Sequence, residues 1–161
     1  MVTTTEGRAN MDKTKTIKHL NEFLQGRYMG IRQYEHLIHQ AGDEALKDFL
    51  QHLQASTKDQ AARVAKRIQD LGGQAANDIS IAGRVEEWMS QLRREPRTTE
   101  EILSQAYQGE HKYGIHVSHD IVEGELDAES AKLIDEILDE DHRHVEQIQE
   151  RLGKRQPAPS R

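Results

Sequence analysis

The sequence predicts an all-α fold: a four-helix bundle of two helical hairpins joined by a long crossover that contains a short helix. Three observations lead there. Four segments carry apolar residues at alternating steps of three and four, capping residues stand at their ends, and the chain repeats itself weakly at a spacing of 84 residues.

The first segment runs from near Asp12 to near Gly42, with Ile17, Leu20, Leu24, Ile31, Tyr34 and Ile38 on one stripe. Asp43 is placed to cap a second helix, whose stripe is Leu46, Leu50, Leu53, Val64, Ile68 and Leu71. Gly72-Gly73 ends it, since glycine at the position after a helix accepts the left-handed conformation used there. The stretch from Gln74 to Arg97 is too long for a tight turn and long enough to return along the bundle, with a short helix expected at 85–92. Helices 2 and 3 would then run parallel. Thr98 and Glu101 have the spacing of a capping box opening the third helix, with Leu103, Ala106, Tyr113, Val117 and Ile121 inward. Asp127 caps the fourth, which turns Ile134, Ile137, Ile148 and Leu152 inward and ends at Gly153. Residues 1–11 and 154–161 read as disordered tails around a single domain at 12–153.

The repeat places Gly30-Ile31 on Gly114-Ile115, Ile38 on Val122, Asp43 on Asp127, Leu50 on Ile134, Leu53 on Ile137 and Val64 on Ile148. All share one register, as two similar hairpins would.

Composition narrows the function. Charged residues make up 31% of the chain and the formal net charge is −6, which repels phosphate backbones and argues against nucleic acid as a partner. The absence of cysteine removes disulfides, thiolate metal sites and cysteine nucleophiles. No apolar run approaches the roughly 20 residues of a membrane helix, and the polar start of the chain lacks the apolar stretch of a secretory signal. A cytoplasmic protein is expected, most simply a homodimer built on exposed helix faces.

Chemistry enters where the stripes stop being apolar. Arg27 falls between Leu24 and Ile31, Thr57 and Gln60 between Leu53 and Val64, Glu110 between Ala106 and Tyr113, and Asp141 and His144 between Ile137 and Ile148. Each lies 14 to 17 residues from the capping aspartate of its hairpin, Asp43 or Asp127. At about 1.5 Å per residue they form one layer across the bundle. An unpartnered polar group in a core costs roughly 1–3 kcal/mol, so groups converging in one layer need partners. Asp141-x-x-His144 puts a carboxylate and an imidazole one turn apart on one face, a spacing suited to a divalent metal, and Glu110 supplies a second carboxylate.

The segments "GRYMGIRQYEHLI", "RVAKRIQDLGG", "GEHKYGIHVSHDIVEGELD" and "ILDEDHRHVEQI" resemble the ferritin-like superfamily, in particular small bacterial bundles related to bacterioferritin and rubrerythrin. The resemblance covers residues 12 to 153. It implies that fold and a dinuclear iron site built on a Glu from each of two helices and a carboxylate-x-x-His from each of the others. Glu110, Asp141 and His144 match the second-half ligands. Their first-half counterparts by the repeat are Gly26 (beside Arg27), Thr57 and Gln60, none of them a carboxylate or imidazole.

Charge counts against two metals. Two divalent cations call for about four carboxylates, the layer offers Glu110 and Asp141, and an inward Arg27 would repel them. Three readings stay open. In one the layer is metal-free, Arg27 bridging Glu110 and Asp141 while Thr57, Gln60 and His144 complete the hydrogen bonds, and the chain is a structural or interaction bundle acting through its surfaces. In another a single divalent metal sits on Glu110, Asp141 and His144. In the third the chain is a di-iron ferroxidase or peroxide-consuming enzyme. The cofactor is accordingly iron, another divalent metal or none, and the setting the resemblance implies is bacterial stress or metal homeostasis. Elsewhere, Glu35, His36 and His39, and His116, His119 and Glu123, have metal-compatible spacing but read as solvated helix faces. Asp135, Glu136, Asp139, Glu140 and His142 read as surface, and Trp88 and Met89 as a cover over the bundle or a neighbouring subunit.

Overall fold

A computed structural model describes residues 3–77, 90, 95–96, 98–111 and 126–155. Four helices carry the fold: α1 (Thr3–Gln40), α2 (Glu44–Asp70), α3 (Thr99–Gln108) and α4 (Ala128–Arg155). Together they form an all-α four-helix bundle. The short crossover helix expected at 85–92, the inward residues Tyr113, Val117 and Ile121, the candidates His116, His119 and Glu123, and Trp88 and Met89 lie outside the described residues.

The capping residues act as their chemistry requires. Asp43 accepts from the Leu46 backbone N–H at 2.8 Å, and Thr98 and Glu101 exchange side-chain and backbone bonds in a full capping box. At the end of α2, Gly72 adopts φ +83°. Its N–H donates to the Gln69 carbonyl and the Gly73 N–H reaches back to the Ile68 carbonyl, both at 2.9 Å. This is a Schellman closure. Gly73 is needed for a different reason: a Cβ there would sit 2.8 Å from Cγ2 of Ile17.

Directions follow from which ends meet. Arg67, late in α2, pairs with Asp127 and Glu129 at the start of α4, so those helices are antiparallel. Asp43 and Leu46 line one cleft with Thr99 and Leu103, so α2 and α3 start at the same end and run parallel. The return segment begins as that topology demands. The Asn21 side chain bonds Gln74 and Ala76, and the Tyr28 hydroxyl donates to the Ala76 carbonyl, which draws residues 74–76 back along α1.

The core falls into two apolar clusters. One gathers Tyr34, Leu37, Leu46, Phe49, Leu50, Leu53, Ile102, Leu103, Ala106 and Ile148. The other gathers Leu20, Phe23, Leu24, Ala61, Val64, Ile68, Ile134, Ile137 and Leu138. Between them the interior is polar. The repeat fits this division: Leu50 and Leu53 lie in the first cluster and their equivalents Ile134 and Ile137 in the second, while Val64 and Ile148 are exchanged the other way. The hairpins are thus related as by a two-fold axis through the polar layer.

Two boundaries and one buried stripe differ from the sequence reading. α1 begins at Thr3 and not near Asp12, and its residues 5–15 are exposed. A helix that buries nothing leaves no apolar periodicity to read. α4 continues through Gly153 to Arg155, since an exposed glycine can stay helical at modest cost. The buried stripe of α1 includes Phe23 and Leu37, with Ile38 only partly covered.

Gly72→Ala is expected to lower the unfolding free energy by about 1 kcal/mol in urea titrations, because a Cβ disfavours the left-handed conformation.

Candidate functional site

All six residues that interrupt the stripes are buried: Arg27, Thr57, Gln60, Glu110, Asp141 and His144. Gly26, the other candidate on α1, is only partly covered, and a Cβ built on it would meet nothing within 4 Å. One residue of helix rotation therefore decides the matter, and Arg27 takes the inward place.

Asp141 is fully buried and central. Its Oδ2 accepts from the Arg27 guanidinium at 2.6 Å, and its Oδ1 accepts from the Gln60 amide at 3.1 Å. Arg27 also donates to Gln60 Oε1 at 3.0 Å, closing a three-residue ring of bonds across α1, α2 and α4. The guanidinium lies 4.5 Å from the centre of the Phe23 ring, a cation–π contact from the apolar layer. Burial raises the Asp141 carboxyl above its ordinary value, against the pull of Arg27.

Glu110 forms the second half. Its Oε1 accepts from the Tyr34 hydroxyl at 2.5 Å and from His144 Nδ1 at 3.2 Å. Nδ1 is assigned the proton because a carboxylate can only accept. Burial, and then Glu110, push the Tyr34 hydroxyl well above its ordinary value, which keeps it a neutral donor. For His144, burial opposes the charged form, but the bond to Glu110 and the neighbouring carboxylates outweigh it and the imidazole is raised.

This departs from the metal-free network expected from sequence in three ways. Glu110 takes its bonds from Tyr34 and His144 and not from Arg27. Thr57 stays out of the network, its hydroxyl donating to the Leu53 carbonyl one turn back at 2.9 Å. Glu140 is not simple surface: it accepts from Gln60 at 3.0 Å and from Arg63 at 2.7 Å. Burial pushes Glu140 up, yet the Gln60 and Arg63 donors prevail and hold it low. Tyr34, Arg63 and Glu140 are the participants that sequence reasoning missed. Tyr34 sits on the apolar stripe and shows its function only through its hydroxyl.

Most of the other candidates behave as surface; the exception is His36, which is half-buried with its Nε2 shielded from solvent. Asp135, Glu136, Asp139, His142 and His39 are exposed, and Glu35 accepts from the Gln54 amide at 2.8 Å.

One oxygen or nitrogen from each of Glu110, Asp141 and His144 lies within 4.8 Å of the others, so the trio could hold a metal ion. Among the described residues the donors do not suit a dinuclear centre. Two carboxylates face a guanidinium across the layer, and a +1 and a +2 charge about 4 Å apart repel by roughly 8 kcal/mol at an effective dielectric near 20.

The family described as "Domain of unknown function (DUF2383)" matches residues 15–123, more than half of the chain, and the chain belongs to it. The match contains Arg27, Gln60 and Glu110 and stops short of α4, which carries Asp141 and His144. No curated protein matches the chain.

The imidazole supplies a pH test. A histidine raised by folding stabilises the native state fully below its unfolded pKa, about 6.5, and that stability is lost as pH rises through the folded value. Urea midpoints are expected to fall as pH rises above about 6.5, and His144→Gln to flatten the fall.

Proposed function

We propose that this chain is a ferritin-like bundle in which a built-in cation, Arg27, has taken the place of metal ions. Its centre then serves to hold four helices in register, and the protein works through its surfaces as a binding or interaction bundle, without iron oxidation. One observation carries the reading: the Arg27 guanidinium lies 2.6 Å from the most buried carboxylate of the layer, and Gln60 occupies that carboxylate's other oxygen. Each Asp141 oxygen already accepts a hydrogen bond, and a metal ion approaching their remaining lone pairs would meet the positive charge of Arg27. The parallel α2 and α3, the turn of residues 74–76 back onto α1 and the mid-bundle polar layer support the ferritin-like assignment. A cytoplasmic setting in stress or metal homeostasis, and a homodimer, come with that assignment; among the described residues Met11 is the large apolar side chain left exposed.

A second reading has its own support in the convergence of Glu110, Asp141 and His144. A single divalent cation would bind there if Arg27 withdrew from Asp141. The two readings part on titration of metal-stripped protein with Mn(II), Zn(II) and anaerobic Fe(II), followed by calorimetry and elemental analysis. The wild type is expected to bind no stoichiometric metal, and Arg27→Leu to gain one ion per chain. One ion in the wild type, lost in His144→Ala, would establish the single-metal reading instead. Two irons with an oxo-bridge absorption after oxygen would overturn both.

A further inference from the structure

α3 leaves the regular helical path where it enters the polar layer: residues 109–111 form a π-helical turn. Such turns are uncommon, and they persist where a group inserted into the helical bonding pattern holds them open. Gln33 of α1 is in position to be that group. Its buried side chain donates from Nε2 to the Gln105 carbonyl at 2.8 Å. The same carbonyl is a partner of the Gly109 N–H, which divides its bond between Gln105 and Ala106.

The fit at Gly109 is close. A Cβ there would lie 1.9 Å from Gln33 Oε1, 2.6 Å from its Cδ and 2.7 Å from its Nε2. The Gln33 amide therefore occupies the space of the side chain that glycine lacks. A stack of Tyr107 on His111, centroids 5.3 Å apart, spans the same turn. Adjacent in sequence to the two members of this contact are the partners of the layer. Tyr34 follows Gln33, Glu110 follows Gly109, and the two side chains meet at 2.5 Å.

The geometry points to Gln33 and Gly109 as a matched pair of positioning residues: the amide seated on the glycine holds the π-turn, and the turn sets Glu110 against Tyr34 and His144. This holds whether or not the layer ever takes a metal, because it concerns how Glu110 is delivered and not what it then binds.

The full-length chain provides the test. A buried hydroxyl donating to a carboxylate gives a protected, downfield proton resonance, assigned here by its loss in Tyr34→Phe. Gln33→Ala is expected to shift or abolish that resonance while the helical circular dichroism is retained. Gly109→Ala is expected to do the same and to lower Tm. Adding Gly109→Ala to Gln33→Ala is expected to lower Tm no further, because the new Cβ enters vacated space. An unmoved Tyr34 resonance in Gln33→Ala would reduce Gln33 to core filling and overturn the proposal. Additive Tm losses in the double variant would overturn the steric match.

Discussion

The ion pair between Arg27 and Asp141 is the constraint around which the rest of the bundle is arranged. A guanidinium in a protein interior is tolerated only with a carboxylate and further acceptors close by. Asp141 supplies the first and Gln60 the second. Because these three residues come from three helices, one buried charge fixes the relative height of α1, α2 and α4. Arginine suits the position better than lysine would, since its flat guanidinium rests on the Phe23 ring while one nitrogen, Nη1, donates to both Asp141 and Gln60. The two apolar clusters on either side supply most of the burial, and the polar layer between them sets the register.

The two halves of the layer divide the work. Arg27, Gln60 and Asp141 close one ring of bonds. Tyr34 and His144 converge on one acceptor, Glu110 Oε1. Replacing a buried pair by apolar residues of like volume is often neutral or stabilising, whereas removing one partner strands the other at a cost of about 3–5 kcal/mol. Such a layer adds little net stability. It makes wrong registers of the helices expensive, since a slip by one turn would leave charges facing leucine and isoleucine.

Much of this was readable from sequence, for a definite reason. Counting by threes and fours identifies most of the inward positions, though not Phe23 or Leu37, and Arg27, Thr57, Gln60, Glu110, Asp141 and His144 stand out wherever the count meets a polar residue. The capping motifs at Asp43 and Thr98 and the stop at Gly72 are local chemistry and equally visible. What the count cannot see is pairing. Whether Glu110 meets Arg27 or Tyr34 depends on the rotation of α1 against α3, and both partners lie on the same stripe. Thr57 is polar by composition but satisfied within its own turn. Glu140 gains partners only because Gln60 and Arg63 reach it across the α2–α4 contact. The Gln33–Gly109 contact leaves no periodic trace at all, since it joins a glutamine and a glycine across two helices. The exposed start of α1 was missed for the opposite reason: with nothing packed against it, it carries no pattern.

The account rests on Arg27 and Asp141 acting as one unit, and a double-mutant cycle measures that most directly. Unfolding free energies of the wild type, Arg27→Met, Asp141→Leu and the double variant would be compared in urea at neutral pH. If the pair is the organising interaction, each single change costs about 3 kcal/mol or more while the double change costs less than either alone, because no charge is left stranded. Additive losses, with the double variant the least stable of the four, would contradict it.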